Sequence, residues 1–176
     1  LLVRPWRAED AEDLYAAARD PRVGPAAGWP PHRSVAESAE VIRTIFSAPE
    51  TYAVVLRETG RVVGCIGLLF AESSHFPIEA SETEVGYWLG VPWWGRGLIP
   101  EALAELIRHA FEELGLTALW GSCFVGNNAS RRVMEKCGFR YVRTDSELSG
   151  CADGSHHAGD ILLLTRDAWL QARRVV

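Results

Sequence analysis

The sequence predicts an α/β domain built on a mixed β-sheet, and three observations support this fold class. Short segments of alternating apolar and polar residues are interspersed with longer segments whose apolar residues recur every three or four positions, so both strands and helices are present. The predicted order is β-α-α-β-β-β-α-β-α-β-β-α, in which antiparallel hairpins precede helical crossovers that pair neighbouring strands in parallel. The length of 176 residues fits a single domain, residues 1–176.

The first part of the chain predicts one strand and two helices. Leu1–Arg4 is typical of a short strand, and Glu9–Arg19 carries acidic residues in its first turn, as helices prefer. Residues 21–33 contain four prolines and two glycines, which predicts an irregular loop. A Ser-x-x-Glu capping box then opens a helix over 34–47.

Three strands are predicted in the middle of the chain. Thr51–Glu58 and Arg61–Ala71 flank a Thr-Gly turn and form a hairpin. Residues 72–80 form a loop, and Ser81–Val91 is the fourth strand because its apolar residues alternate with other residues.

The second half predicts helices that alternate with strands. The most regular pattern is Pro100–Leu114, whose apolar residues recur at helical spacing. The remaining elements are a strand over 117–125, a helix over 129–137, a strand over 139–143, a polar loop over 145–159, a strand over 160–165 and a helix over 167–174.

The composition restricts the possible functions. Acidic residues outnumber basic ones by 23 to 18, and the net charge of −5 argues against bulk binding of nucleic acid. No apolar run approaches the roughly 18 residues of a membrane helix, and the first residues predict no signal peptide. The four cysteines lack C-x-x-C spacing and a zinc-type cluster with histidine. We therefore expect free thiols, no metal, no membrane partner and a cytoplasmic protein.

A glycine-rich turn joins the fourth strand to the helix over 100–114. Gly95 and Gly97 permit positive φ and leave room for a ligand beside the backbone. The N–H groups at the start of the helix point into the same space, which suits a diphosphate, and Arg96 would add charge. A tight turn without a ligand explains the spacing equally well. No Gly-Lys-Ser/Thr follows, which excludes a P-loop, and the third glycine of a dinucleotide fingerprint is missing.

A second polar group of residues lies at another strand end. Asn127 or Asn128 is suited to cap the helix over 129–137. Capping alone leaves the grouping of Asn127, Asn128 and Ser130 unexplained. Ligands of α/β sheets bind outside the carboxyl ends of strands, where neighbours part, and the two segments have the right order to flank such a crevice.

Together these segments resemble the GNAT acetyltransferase superfamily. The main motifs are Gly95-Arg96-Gly97 before Glu101-Ala102, and N-x-x-S-x-x-x-x-E-K-x-G-F over 127–139. Shorter segments are similar to its branch of ribosomal-protein N-terminal (alanine/serine) acetyltransferases, namely DPRV over 20–23, GWP over 28–30, EVGYWL over 84–89 and Asp160 before the last strand. The similarity extends over nearly the whole chain.

The resemblance implies the GNAT fold, in which about seven strands form a mixed, mostly antiparallel sheet flanked by helices. It also implies that acetyl-CoA binds where the fourth and fifth strands splay apart. The fourth strand would pair with the pantetheine, and amides of the glycine turn would hold the pyrophosphate. The residues assigned to acetyl-CoA are Leu89, Gly90, Val91, Trp94, Gly95, Arg96, Gly97, Leu98, Ile99, Asn127 and Ser130.

Two positions depart from the family pattern. Pro92 stands where the general pattern has Gln or Arg, a residue that this branch often lacks. Met134 stands where many members have a tyrosine that acts as general acid, and a thioether cannot donate a proton.

The implied reaction moves an acetyl group from acetyl-CoA directly to a primary amine in a ternary complex. The amine must first lose a proton, which a carboxylate accepts directly or through one water. Glu84 is expected to be this base because the fourth strand borders the acetyl group, and Glu82 and Asp160 are alternatives. Glu84 is otherwise explained as a solvated acid or as the partner of an arginine.

Two further roles complete the implied mechanism, and Cys123 takes no part in it. A backbone amide near Leu89 would stabilise the oxyanion. Ser130 would assist the departing CoA thiolate, unless its hydroxyl only bonds the backbone. Cys123 is expected to be a buried, inert thiol and not an acetyl carrier.

The acceptor amine is expected to be selected by the loops over 21–33, 72–80 and 145–159. It is a peptide α-amine or a small molecule such as a polyamine, an aminoglycoside or an amino acid. The side chains in these loops are Trp29, His32, Glu72, His75, Phe76, Glu79, Asp145, Glu147, Asp153, His156 and His157. A mechanism through histidine, an acyl-CoA sensor without turnover, a nucleotide-binding module and a homodimer remain open.

Overall fold

The computed structural model describes residues 1–148 and 154–174, which contain seven strands and five α-helices. The strands are β1 (Leu2–Pro5), β2 (Thr51–Val55), β3 (Val62–Leu69), β4 (Glu82–Leu89), β5 (Ala118–Phe124), β6 (Arg140–Leu148) and β7 (His157–Thr165). The helices are α1 (Ala11–Ala18), α2 (Val35–Thr44), α3 (Leu98–Arg108), α4 (Asn128–Lys136) and α5 (Arg166–Arg174). The predicted order of strands and helices is confirmed.

All seven strands belong to one mixed sheet with the order β1-β2-β3-β4-β5-β7-β6. Strand β4 pairs with β5 in parallel, from Glu82 opposite Ala118 to Val85 opposite Gly121. The pairs β1–β2, β2–β3, β5–β7 and β6–β7 are antiparallel. The parallel register covers only the first half of β4, which is what the predicted splay of these strands requires.

The described residues divide into two compact units. The first contains Leu1–Gly67 and Tyr87–Ala102, and the second contains Leu68–Gly86 with residues 103–148 and 154–174. The expectation of one domain over 1–176 stays a prediction.

Helices α1 and α2 form the core of the first unit. Ala11, Leu14 and Ala18 of α1 pack with Ile42 of α2, and all four are buried. Partly buried aromatic side chains extend this cluster, and these are Trp6, Trp29, Phe46 and Trp88. Ser34 caps α2 as predicted, since its hydroxyl accepts a hydrogen bond from the backbone amide of Glu37 at 3.1 Å. The second half of the predicted capping box differs, because the Glu37 carboxylate accepts from the backbone amide of Arg33 and not from that of Ser34.

Strands β5, β6 and β7 pair with one another in the second unit. Phe76, Leu148 and Ile161 make a buried cluster against which Trp120 packs. Gly121 of β5 lies directly against the thioether of a buried methionine of α4, so a Cβ at this position would collide with it. The sheet and α4 therefore approach each other closely.

Several bounds differ from the sequence prediction. Strand β6 continues as far as Leu148, and strand β7 already begins at His157. Both strands therefore extend into residues 145–159, which were expected to form a loop. Helix α2 ends at Thr44, and α3 begins at Leu98, directly after the glycine turn. The α3 segment then continues as a π-helical turn over His109–Glu113.

Candidate active site

The glycine turn after β4 has the backbone geometry expected of an anion site. Gly95 and Gly97 both have a φ of 74°, and a Cβ at either position would meet no atom within 4 Å. Helix α3 begins at the next residue, Leu98, and the first amides of a helix have no partner within it. Open space beside glycine backbone and a helix N-terminus is suited to a phosphate group.

Aromatic side chains hold this turn in place. The indole Nε1 of Trp94 donates a hydrogen bond to the carbonyl oxygen of Leu89 at 2.7 Å. The guanidinium of Arg96 lies 5.0 Å from the centre of the Trp93 ring, a cation–π contact. Arg96 is exposed, so its charge remains available to an anion.

A cavity of about 350 Å³ lies in the first unit beside the turn. Val91 and Pro92 line one part of it, and the C-terminal end of α1 with the following residues lines the rest. At its rim, hydrogen bonds from Arg22 lower the pKa of Asp20 to about 2, so this carboxylate is ionised at neutral pH. The sequence prediction included Val91 but missed the α1 side, since the helical pattern gives no sign of a ligand.

Asn127 is the N-cap of α4, and it is one of the two residues that were predicted for this role. Its Oδ1 accepts a hydrogen bond from the backbone amide of Ser130 at 3.2 Å. Asn128 is the first residue of the helix. Ser130 is half-buried in the first turn, and Met134 is buried one turn later. Met134 is thus a core residue at the position where many family members have a tyrosine.

The carboxylate of Glu84 lies at the centre of a buried hydrogen-bonding cluster in the second unit. Its side chain is 1% exposed. Oε1 accepts from the Ser122 hydroxyl of β5 at 2.6 Å and lies 3.0 Å from Nδ1 of His75. Oε2 accepts from the Ser74 hydroxyl at 3.0 Å and from the His75 backbone amide at 2.9 Å. Glu84 therefore ties the β3–β4 loop to β5.

Opposing effects set the pKa values of Glu84 and His75. Burial raises the pKa of Glu84, but hydrogen bonds and charge from His75 and the Ser122 hydrogen bond lower it more, to a net value below the usual 4.5. The Glu84 hydrogen bond raises the pKa of His75 above the usual 6.5, against the effect of burial. The carboxylate is therefore ionised at neutral pH, and the raised pKa of His75 favours the protonated imidazole.

The two alternative carboxylates have structural partners. Glu82 accepts a hydrogen bond from the indole of Trp120 at 2.7 Å. Asp160 accepts from Arg131 at 2.9 Å and from the Thr144 hydroxyl at 2.7 Å. Each of these carboxylates thus stabilises a contact between neighbouring elements.

The structure distributes the predicted site residues over both units. Leu89–Val91 and Trp94–Ile99 lie in the first unit, whereas Glu84, Asn127 and Ser130 lie in the second. The sequence predicted His75 as one of the loop side chains that select the acceptor, but it did not identify Ser74, His75 and Ser122 as partners of Glu84. Alternation along β5 was the available signal for Ser122, since it is half-exposed between the buried Gly121 and Cys123.

The residues expected to select the acceptor have mixed positions. His32 bonds the Ser38 hydroxyl at 2.8 Å, and Phe76 is in the core. Residues 145, 147 and 157 lie on β6 or β7, and His156 precedes β7. Asp153, like Cys151, falls outside the described residues. Burial raises the pKa of Cys123 to about 11, which agrees with an inert thiol.

Residues 1–148 and 154–174 contain neither a metal-binding cluster nor a helix that could span a membrane. No group of three or more His, Cys, Asp or Glu side chains in these ranges is arranged to hold a metal ion. None of the helices described there combines the length and apolar character needed to cross a membrane.

Comparison with known proteins gives consistent similarities. FsC-acetyl coenzyme A-N(2)-transacetylase from Aspergillus fumigatus is 35% identical over 101 residues, which cover 54% of this chain and 41% of that protein. The chain thus spans less than half the length of this relative.

Solved structures share the fold over almost the whole chain. A GNAT-family acetyltransferase from Bacillus anthracis matches with a TM-score of 0.79 and 18% identity, over 94% of this chain and 95% of that one. Ribosomal-protein-S5-alanine acetyltransferase from Vibrio fischeri matches with a TM-score of 0.73 and 19% identity, over 95% and 93%. The sequence pattern of the acetyltransferase (GNAT) domain family matches residues 1–140. Since this match covers well over half of the sequence, the chain belongs to the GNAT acetyltransferase family.

Proposed function

We propose that the protein transfers the acetyl group of acetyl-CoA directly to the nitrogen of a primary amine. The observation that carries this proposal is the turn of Gly95 and Gly97, which leaves open space beside the first amides of α3 in a chain of the GNAT family. Amides of this turn and Arg96 would hold the diphosphate, and Leu89–Val91 would pair with the pantetheine. Acetyl-CoA supplies the activated acetyl group as a thioester.

The protein residues divide the remaining tasks. Glu84 supplies the negative charge that draws the proton from the acceptor, and a β4 amide near Leu89 stabilises the oxyanion. The amide group of Asn127 contacts the cofactor while its Oδ1 caps α4. Ser130 assists the departing thiolate, because the buried Met134 has no proton to give.

The acceptor that we propose first is the α-amine of a peptide that begins with alanine or serine. Support comes from the motifs shared with ribosomal-protein acetyltransferases and from the fold shared with the Vibrio fischeri enzyme. A small-molecule amine is the second candidate. We place the reaction in the cytoplasm, where the buried thiols of Cys65 and Cys123 stay reduced.

A thiol-release assay with acetyl-CoA tests the proposal. The panel contains peptides with N-terminal alanine or serine, the same peptides already acetylated, a polyamine, an aminoglycoside and a free amino acid. We expect CoA release with an unblocked peptide and none with its acetylated form. Turnover only with a small amine would identify a small molecule as the acceptor in place of a peptide. Binding of acetyl-CoA without turnover on any amine would favour the alternative of an acyl-CoA sensor.

A further inference from the structure

The segment between α1 and α2 holds His32 through contacts to both helices. Its backbone amide donates a hydrogen bond to the carbonyl oxygen of Ala18, the last residue of α1, at 3.1 Å. Nδ1 of its ring lies 2.8 Å from the hydroxyl oxygen of Ser38 in α2. The ring therefore has a fixed position, although His32 itself lies outside any helix or strand.

Ring contacts within the first unit connect His32 with the end of β4. Trp29 lies over Gly24, where a Cβ would collide with the indole, and its ring centre is 5.3 Å from that of His32. Trp29 also packs edge-to-face against Trp88, with ring centres 5.8 Å apart. Trp88 directly precedes Leu89, near which we propose that a backbone amide stabilises the oxyanion. All of these residues belong to the first unit.

The surroundings of Ser38 determine which ring nitrogen of His32 carries the proton. Ser38 is completely buried, and within residues 1–148 and 154–174 its hydroxyl has the His32 ring as its only hydrogen-bond partner. A buried O–H group without an acceptor is costly, so the hydroxyl donates to Nδ1. The proton of the neutral ring is then on Nε2, at the ring edge directed away from Ser38. Burial lowers the pKa of His32, which favours this neutral form.

We propose that His32 is a specificity-determining residue whose Nε2–H donates a hydrogen bond to a carbonyl oxygen of the acceptor. A peptide fits this donor, because its backbone offers carbonyl oxygens close to the α-amine. The ammonium groups of a polyamine only donate hydrogen bonds, so a polyamine would leave Nε2–H unpaired. This inference rests on the proposed acetyl transfer and names the group that distinguishes the two candidate classes of acceptor.

The donor discriminates because an acceptor must replace the water that it displaces. His32 is partly exposed, so water reaches the ring in the free protein. A peptide carbonyl restores the lost hydrogen bond, whereas an alkylamine without oxygen leaves a polar group unpaired. One uncharged hydrogen bond of this kind corresponds to about 3–10-fold in binding.

His32→Asn and His32→Gln separate the roles of the two ring nitrogens. The Oδ1 atom of the asparagine reaches the position of Nδ1 and still accepts from Ser38, but no donor remains at the position of Nε2. The amide group of the glutamine reaches the position of Nε2 and gives up the contact with Ser38. We expect His32→Asn to raise the KM for the peptide by about 3–10-fold, with kcat and the KM for acetyl-CoA nearly unchanged. His32→Gln should lower the Tm and keep the peptide KM close to that of the wild type.

His109→Asn is the matched control, because it makes the same change in the π-helical turn after α3, in the second unit. This variant should keep the wild-type KM for the peptide. NMR of the ring nitrogens in the wild-type protein gives a readout that does not depend on turnover. At neutral pH, Nδ1 of His32 should be unprotonated and Nε2 protonated. Addition of the peptide should shift the Nε2 signal, whereas an alkylamine without a carbonyl group should not.

Several outcomes would overturn the inference. An unchanged peptide KM in His32→Asn would show that Nε2 does not contact the acceptor, and an equal rise in both variants would show that the shape of the ring matters rather than its donor. If neither variant folds, the wild-type spectrum decides, since a proton on Nδ1 or a Nε2 signal that the peptide leaves unmoved excludes the proposed contact. Turnover with small amines and with no peptide would refute the inference and support acetyl transfer. A wild-type protein that acetylates no amine overturns the proposed function itself, and this is seen before any variant is made.

Discussion

At the scale of single residues, Arg4 and Asp10 form a largely buried, bidentate ion pair in the first unit. The two terminal nitrogens of the guanidinium group each lie 2.7 Å from a carboxylate oxygen, and the backbone amide of Arg7 also donates to Asp10 at 2.9 Å. Their side chains are only 13% and 6% exposed. Removing one partner of such a pair leaves a charge that water reaches poorly, which is the main cost.

Asp10→Asn should therefore lower the free energy of unfolding by about 3–5 kcal/mol. Glu40→Gln is the control, since Glu40 and Arg43 form an exposed pair on α2, with side chains 56% and 71% exposed. The control should cost less than about 1 kcal/mol. Urea denaturation of both variants measures the difference, and equal small losses would show that the Arg4 pair contributes little.

The pair of Glu84 and His75 makes stability depend on pH in two directions. Glu84 has a lowered pKa, so its contribution is present above the usual value of 4.5 and is lost as the pH falls through the folded-state pKa. His75 has a raised pKa, so its contribution is full below the usual value of 6.5 and is lost as the pH rises through the folded-state pKa.

Wild type should thus exceed Glu84→Gln in stability most between these two usual values, by about 1–3 kcal/mol. The difference should shrink as the pH rises through the folded-state pKa of His75, and also in acid, as Glu84 gains a proton. Urea titrations at about pH 5.5 and about pH 8.5 compare the two proteins. A difference that is the same at both pH values would mean that the imidazole does not change its protonation state between them.

At the scale of elements, the sequence was most informative where one face of an element is buried. The apolar stripe of α3 predicted a helix correctly because burial of one face selects for this periodicity. The alternation in β4 also predicted the correct element type, although Thr83, Glu84 and Val85 are buried in succession. Strand β6 was predicted too short. Most of its residues are exposed, so Thr144–Glu147 shows no apolar alternation and is typical of a loop. Pairing with β7, which is long-range, forms the strand there instead.

The N-terminus of α4 allows capping to be separated from cofactor binding. Asn127→Asp keeps the oxygen that accepts from the Ser130 amide, so stability should change by less than about 0.5 kcal/mol. The change removes the amide donor and adds a negative charge, so the KM for acetyl-CoA should rise about tenfold or more. Ser34→Ala is the control, because it removes the α2 cap, should cost about 1 kcal/mol and should leave this KM unchanged. An unchanged KM in Asn127→Asp would remove Asn127 from the cofactor site.

At the scale of the whole molecule, the predicted site residues come from segments that are distant in the sequence. Local patterns predicted the glycine turn and the α4 cap, because each depends on a few consecutive residues. The cluster of Glu84 could not be predicted in this way, since Ser122 is 38 positions away and is brought there by the parallel pairing of β4 with β5. His75 is only nine positions away, but the loop that carries it has no regular pattern.

Binding of acetyl-CoA should stabilise the whole molecule, and the glycine turn should be required for this effect. A ligand at about 100 times its Kd adds about 2.7 kcal/mol, which corresponds to a rise in Tm of about 5–10 °C for a chain of this length. ATP and NAD should give a clearly smaller shift. In Gly97→Val, the side chain would fill the open space and oppose the φ of 74°, so the shift with acetyl-CoA should disappear.

Gly60→Val controls for backbone strain in this experiment. Gly60 has a similar φ of 71° and equally open surroundings, but it lies in the turn between β2 and β3. Both substitutions should lower the Tm of the free protein to a similar extent, because a β-branched residue at positive φ is strained in either turn. Only Gly60→Val should keep the full shift with acetyl-CoA and the wild-type KM. A full shift in Gly97→Val would show that the turn after β4 does not hold the diphosphate, and an equal shift with ATP would favour a nucleotide-binding module.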